Sequence, residues 1–242
     1  MLDTAMILAA GRGERMRPLT DHLPKPLLEA GGKALIVWHL ERLAHAGFKR
    51  VVVNHAWLGQ KIESALGDGS QWGLEIIYSP ETEALETAGG IAQALPLLGD
   101  SPFLVVNGDI YCTFDLTRAH SMAVQLESSR RLGVLEQAWC LMVANAAHHP
   151  EGDFAVHHGI LASPSPTRGL PGLTFSGIAV YQPDFFNTVP RGSKMPLRPL
   201  LEAGIAKQSL RAEFFDGLWL DIGTPERLSA LDAELRRQAR SR

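Results

Sequence analysis

The sequence predicts an α/β fold in three layers, with helices on both faces of a central, mostly parallel mixed sheet. Two observations predict it. In the first half, short Val/Ile/Leu-rich runs bounded by Gly or Asn alternate with stretches of helical spacing, the pattern of parallel strands covered on both sides. In the second half, strand-like runs follow one another across Pro/Gly-rich turns, which favours antiparallel pairing.

The elements follow in order. Ala5–Ala10 is a continuous apolar run ending at Gly11, read as a buried strand. Within Ala34–Ala46, Ile36, His39, Leu40 and Leu43 fall at i, i+3, i+4 and i+7, and Gly47 stops the helix. Arg50–Asn54 is a second strand and Gly59–Leu66 a short helix ended by Gly67-Asp68-Gly69. Leu74–Tyr78 is a strand, and Thr87–Leu95 a helix closed by Pro96. Phe103–Asn107 is a strand and Leu116–Leu126 a helix. Beyond residue 130, Trp139–Val143, Phe154–His158, Leu173–Tyr181 and Leu210–Phe215 read as strands, with Leu197–Gly204 helical. Pro225–Arg240 is a last helix with Pro in its first turn and Arg236, Arg237 and Arg240 near its end. No internal repeat or long linker divides the chain, so one domain over 1–242 is expected.

Composition excludes several classes. The chain has 242 residues, 45% apolar and 20% charged, and a net charge of −3, unlike a disordered chain or a general nucleic-acid binder. Cys112 and Cys140 cannot form a dense disulfide framework, which favours a reducing compartment. The first apolar run is too short to span a bilayer and lacks a basic flank, so no membrane association and a cytoplasmic location are expected.

The loop after the first strand carries the chemistry. Gly11 and Gly13 let the main chain approach a ligand, and successive free N–H groups there form an anion nest. Arg12, Arg15 and Arg17 add guanidinium donors suited to phosphate, and Lys25 is held between Pro24 and Pro26. A dinucleotide fingerprint is excluded because its third glycine position is Met16. A phosphate-binding loop ending at Gly32-Lys33 is excluded by Leu27 and Ala34. Asn107-Gly108-Asp109 ends the fourth strand, on the side where open α/β sheets bind ligands. A carboxylate there suits Mg²⁺, and a simple Gly-Asp turn is the other reading. No Gly-x-Ser-x-Gly occurs. His148-His149 and His157-His158 each offer only one ligand to a given strand face, which argues against a transition-metal centre.

The run LAAGRGERMRPLTDHLPKPLL, Leu8 to Leu28, resembles the signature of the sugar-phosphate nucleotidyltransferases. Ala34 departs from the proline usual in that family. A second run, Trp219-Leu220-Asp221-Ile222-Gly223-Thr224-Pro225, is similar to the family's W-x-D-[IV]-G-T-P. The resemblance implies a Rossmann-like, GT-A-like nucleotidyltransferase fold, with residues 1–130 as a nucleotide-binding half and 131–242 as a sugar-binding half. It implies that Ala9, Ala10, Gly11, Arg12 and Gly13 bind the nucleotide and that Arg15, Lys25 and Asp109 serve catalysis. Asp109 and Asp221 would share Mg²⁺. Glu81 and the main chain at Ala88 and Gly89 would read the nucleobase. Asn107, Asn145, Glu151, Gly152, Asp153 and Gly177 would line the sugar site. Lys194 would meet the sugar phosphate or a sugar carboxylate, or else be a solvated surface lysine.

Transfer between two phosphates needs positioning and charge neutralisation, because the attacking oxygen is already ionised. The segments EALETAGG and HPEGDF look most like the branch of the family that joins UTP to N-acetylmuramic acid α-1-phosphate, releasing pyrophosphate, in bacterial cell-wall recycling. A mannose- or heptose-1-phosphate guanylyltransferase and a non-catalytic nucleotide-sugar-binding protein remain open. A monomer or weak homo-oligomer is expected.

Overall fold

The computed structural model describes residues 3–240; residues 1, 2, 241 and 242 of the expected domain lie outside the described residues. In chain order the first elements are β1 (Thr4–Leu8), β2 (Glu29–Ala30), β3 (Lys33–Ala34), α1 (Leu35–His45), β4 (Arg50–His55), α2 (Gly59–Leu66), β5 (Glu75–Pro80), α3 (Glu86–Leu98), β6 (Phe103–Asn107), β7 (Ile110–Cys112) and α4 (Arg118–Arg131). There follow β8 (Ala138–Val143), β9 (Ala155–His157), β10 (Ile160–Ala162), β11 (Thr174–Tyr181), α5 (Arg198–Ala206), β12 (Leu210–Phe215), β13 (Trp219–Asp221) and α6 (Pro225–Arg240).

Nine strands form one mixed sheet in the order β5-β4-β1-β6-β11-β8-β12-β10-β9. β5, β4, β1 and β6 are parallel, so their carboxyl ends share one rim. β11 enters antiparallel between β6 and β8. β10, a strand that the sequence pattern does not predict, pairs antiparallel with β9 and β12; the expected antiparallel pairing of the second half holds for β11–β8, whereas β12 runs parallel to β8. The long connection between those two strands contains α5, which supplies the crossover that parallel pairing requires.

The strand residues divide by period two. Ala5, Ile7, Val51, Val53, Leu104 and Val106 meet α1, α2 and α4 on one face. Met6, Val52, Phe103 and Val105 meet α3 and α5 on the other. A third cluster packs α6, through Leu228, Leu231 and Leu235, against Met16 and Leu28 of the signature segment and Ala30 of β2. The Gly31 N–H donates to Asp232 Oδ1 at 2.8 Å, tying the two ends of the chain together.

Two expectations change. The helix placed before Pro96 runs on to Leu98. Proline's φ is helical, only one backbone bond is lost in this last turn, and Leu98 is buried by continuing. Unanticipated are the β2–β3 hairpin, turned by Gly31 and Gly32 with φ of 64° and 83°, and the β7–β13 ribbon.

Candidate active site

Gly13 begins the turn after β1 with φ 69°, and a Cβ there would lie 3.0 Å from Thr20 Cγ2 and 3.2 Å from Lys25 Cβ. Glycine is therefore required for this loop to close on the Lys25 segment. Thr20 Oγ1 and the Met16 N–H both donate to Gly13 O, each at 2.9 Å, and Met16 is fully buried. Lys25 sits in a one-turn 3₁₀ helix, Lys25–Leu27, stiffened by the flanking prolines. Its side chain is 10% exposed and its Nζ donates to Asp109 Oδ2 at 2.7 Å.

Asp109 lies in the turn between β6 and β7. The Gly108 N–H donates to Leu8 O at 2.9 Å, joining this turn to the end of β1. β13 pairs with β7 so that Asp221 stands opposite Ile110, and the Ile222 N–H donates to Asp109 O at 2.8 Å. The ribbon thus brings the two aspartates together from positions 112 residues apart in sequence (221 − 109). Arg227 Nη1 donates to Asp221 Oδ2, and His148 Nε2 stands 3.4 Å from the same oxygen. Arg15 reaches this corner too, since a Cβ on Gly223 would be 3.1 Å from Arg15 Nη2 and 3.0 Å from Asp221 Oδ1.

Two clefts, each of about 300 Å³, open on this rim. The first is lined by Ala9, Ala10, Gly11, Lys25, Asn54, Ala84, Glu86 and Thr87. The second is lined by His148, His149, Thr174, Ser176, Trp219 and Asp221. Asn107 and Asp109 line both, so the clefts meet at the carboxylate that Lys25 holds.

Residues 4–137 match the nucleotidyl transferase family. The chain is 51% identical over 230 residues to N-acetylmuramate alpha-1-phosphate uridylyltransferase of Neisseria meningitidis, covering 95% of this chain and 96% of the relative. It is 34% identical to the Caulobacter vibrioides enzyme of the same name, covering 96% of each. The chain belongs to the nucleotidyl transferase family. A Bacillus anthracis structure assigned as a glucose-1-phosphate thymidylyltransferase shares the fold, with a TM-score of 0.82 at 18% identity over 98% of this chain and 96% of that one. HddC from Yersinia pseudotuberculosis, complexed with GMP-PN, superposes with a TM-score of 0.73 at 20% identity over 96% and 99%.

As a sugar-phosphate nucleotidyltransferase, the protein belongs to a family that uses a divalent ion, and Asp109 and Asp221 are the carboxylates that this corner offers to one. Two carboxylates share one corner and open onto space where substrate phosphates would complete the oxygen shell. No cluster of three or more His, Cys, Asp or Glu able to hold an ion exists among the described residues, so an ion held wholly by protein does not fit.

Several expected site residues stand behind the cleft walls. Glu81 is buried, accepting from Asn54 Nδ2 at 2.7 Å and from the Leu85 N–H at 2.8 Å, and burial raises its pKa. Asn54 Oδ1 in turn accepts the Ala9 N–H at 2.8 Å. Glu81 therefore braces the glycine loop through Asn54. Ala88 and Gly89 both donate their N–H groups to Met195 O, at 3.0 and 3.1 Å, which leaves neither N–H for a base. The Arg12 guanidinium lies 3.8 Å from the Trp57 ring centre and donates to Thr20 O, bracing the loop from outside.

Asn145 donates to the carbonyls of Pro150 and Gly172 and accepts from Thr174, fastening the loop that carries Glu151 and Gly152. Asp153 accepts from the Phe175 N–H and from Arg198. Gly177, at φ 78°, leaves space for Asn107, whose Nδ2 would be 2.5 Å from an added Cβ. Lys194 is exposed, 3.9 Å from Glu86.

Sequence reasoning missed Asn54, His148, Trp219 and the wall Ala84–Glu86–Thr87. The position of Asn54 at the carboxyl end of a parallel strand was the available signal. Glu86 is held at φ 60°, a strained conformation for a non-glycine residue at the cleft wall. No helix among the described residues is long and apolar enough to cross a membrane.

Proposed function

We propose that this protein transfers the uridylyl group of UTP to N-acetylmuramic acid α-1-phosphate, giving the UDP-sugar and pyrophosphate. The observation that carries the reading is the junction: two clefts of similar size meet at Asp109, within 2.7 Å of a nearly buried lysine. The Neisseria relative, 51% identical over 95% of this chain, supports the choice of nucleotide and sugar.

The nucleotide fills the first cleft and the sugar 1-phosphate the second, so the N-terminal half serves the nucleotide and the C-terminal half the sugar. The main chain from Ala9 to Gly13 and Arg15 bind the triphosphate. The exposed wall at Ala84, Glu86 and Thr87 faces the base, supported from behind by Glu81, Ala88 and Gly89. Lys25 exchanges Asp109 for the α-phosphate and neutralises it under attack. A sugar-phosphate oxygen forms the new bond to the α-phosphorus while the bond to the pyrophosphate oxygen breaks. That oxygen is already ionised, so no side chain is needed as a base. Mg²⁺, held by Asp109 and Asp221, would supply further neutralisation of the phosphates when bound. Asn107 positions the incoming phosphate at the junction, with Gly177 making room for it.

A panel of UTP, GTP, CTP and dTTP against the 1-phosphates of N-acetylmuramic acid, glucose, mannose and a heptose, read by pyrophosphate release, tests this. The expected result is turnover with UTP and N-acetylmuramic acid α-1-phosphate above every other pair. Preference for GTP with mannose 1-phosphate would transfer the chain to the guanylyl branch, to which it is 30% identical in the Drosophila pseudoobscura catalytic subunit beta over 59% of that relative's length. Silence across the panel with nucleotide binding intact would leave a binding protein.

A further inference from the structure

The sugar 1-phosphate assigned to the second cleft carries a second anion, the carboxylate of its lactyl ether. Its phosphate belongs at the junction, with Asp109, Lys25 and Asn107. The carboxylate lies elsewhere on the sugar ring and needs a donor of its own. The sequence offers Lys194 for this duty. In the structure its ammonium stands 3.9 Å from Glu86, a wall of the first cleft, and Lys194 lines neither cleft.

Most donors of the second cleft are engaged within the protein. Trp219 Nε1 donates to Ser176 O and Thr174 Oγ1 to Asn145 Oδ1, both at 2.9 Å. The Phe175 N–H donates to Asp153 Oδ2 at 3.0 Å, and Ser176 is fully buried. His148 faces Asp221 at the junction. His149 stands beside Asp153 instead, with its Nε2 3.4 Å from Asp153 Oδ1, longer than a good N–H···O bond. That oxygen already accepts from Arg198 at 2.6 Å. Asp153 is therefore satisfied and neutralised without His149, and the imidazole N–H is available to another anion. The ring is partly exposed, but its main chain is fixed. The His149 N–H donates to Ala146 O at 2.8 Å, and the Gly152 N–H donates to His149 O at 3.3 Å. The cleft wall thus presents a donor on a fixed elbow, beside a carboxylate whose charge is already balanced.

We propose that His149 is a specificity-determining residue: its ring N–H donates to the sugar's carboxylate and selects N-acetylmuramic acid α-1-phosphate over N-acetylglucosamine α-1-phosphate, the same 1-phosphate without the lactyl group. The proposal rests on the assignment of the second cleft to that sugar. A donor offered to a charged acceptor strengthens binding only of the sugar that has one. His148 lies at the phosphate end, so it serves both sugars alike, and Lys194 stays solvated.

The test measures kcat/KM with UTP and each of the two sugar 1-phosphates, for the full chain and its His149→Ala, His149→Phe and His149→Gln variants. His149→Ala removes the ring, His149→Phe keeps its bulk without a donor, and His149→Gln restores an N–H. All should melt close to the wild type, since the ring is partly exposed. Should His149→Ala fail to fold, His149→Phe takes its place. With N-acetylmuramic acid α-1-phosphate, His149→Ala and His149→Phe should lose roughly tenfold, the order of one hydrogen bond to a charged group. The loss should lie mainly in KM for the sugar phosphate. With N-acetylglucosamine α-1-phosphate they should change by less than about twofold, the limit set by losing no bond. His149→Gln should recover part of the preference. Equal losses with both sugars, or a preference unchanged in a folded His149→Ala, would overturn the proposal while leaving the functional reading in place. A preference that Lys194→Ala abolishes and His149→Ala keeps would overturn it in favour of the lysine. A wild type that turns over neither sugar, or prefers the one without a carboxylate, would defeat the functional reading and this proposal with it.

Discussion

The two clefts are built differently. The first is assembled from the carboxyl ends of neighbouring parallel strands, β1, β4 and β6, and from a loop that follows β1 directly. Its bracing is a short buried relay from Ala9 through Asn54 and Glu81 to Leu85. The second borrows from β11, from the loop at His148 and His149, and from a three-residue ribbon that closes only when β13 finds β7. Its walls mix exposed rings, His148 and His149 at 41% and 39%, with the buried Thr174 and Ser176 of β11. On the proposed assignment, the nucleotide cleft is braced by a buried relay, whereas the sugar cleft carries exposed histidine rings that change at little cost to stability. That division suits a family whose members share a reaction and differ in the sugar.

The largest effect should come where the clefts meet. Asp109→Asn keeps the shape and removes the charge from both clefts at once. Turnover should fall by about 10³-fold, in the range seen when a preorganised electrostatic group is lost, while circular dichroism stays native. A loss confined to KM for one substrate would break the idea of a shared junction.

The next effect separates the buried region from the exposed one by pH. Burial, reinforced by the Arg42 charge, lowers the His39 pKa from 6.5 to about 4. Between those values the unfolded chain binds a proton that the folded one refuses, so stability rises with pH across this window. On acidification it is lost from about pH 6.5 downward, and the loss is complete near pH 4. The full amount is about 3 kcal/mol, at ~1.4 kcal/mol per pH unit. Denaturant unfolding of wild type and His39→Leu should diverge by this order across that window and run parallel above pH 7. Parallel curves throughout would mean that His39 is solvated or paired in the folded protein.

Asn54→Ala should follow. It leaves the Ala9 N–H and a Glu81 oxygen buried without partners. The expected cost is about 2–3 kcal/mol, lowering the melting temperature by roughly 4–12 °C for a chain of this size. KM for UTP should rise while KM for the sugar phosphate holds. Equal changes in both would show that the relay supports the whole rim and not the first cleft alone.

The contrast between the clefts also governs how much could be read from sequence. The glycine loop, Lys25 and the strand ends carry local signals: period-two burial, glycine at positive φ, proline on either side of a lysine. All of them land on one rim. The meeting of Asp109 with Asp221 was expected only through a family resemblance, because three-residue strands such as β7 and β13 have no sequence signature of their own. Glu81, Ala88 and Gly89 sit on the expected loop, but sequence does not show which side of the loop faces the ligand. Their donors and acceptors are spent on Asn54, Leu85 and Met195, and the neighbouring Ala84, Glu86 and Thr87 face the cleft instead. His148 was weighed as half of a metal pair and set aside. Its place beside Asp221 depends on a loop closed by Asn145, which no periodicity reveals.

The smallest effect belongs to His148, and it is the sharpest test of the difference between the regions. Its ring is well exposed and stands 3.4 Å from Asp221 Oδ2, an oxygen that Arg227 already holds. An exposed pair of this kind contributes no more than about 1 kcal/mol. His148→Ala should therefore shift the midpoint of unfolding by an amount close to measurement error. Any effect on catalysis should be confined to the sugar side: KM for the sugar phosphate should rise by roughly two- to fivefold, the equivalent of a fraction of a kcal/mol up to ~1 kcal/mol. KM for UTP should not move, because His148 borders only the second cleft. A comparable rise in KM for UTP would show that the two clefts are not separable and that Asp221 carries the effect of His148 to the nucleotide. A large loss of stability would show instead that the 145–152 loop is as integral to the fold as the relay beneath Ala9.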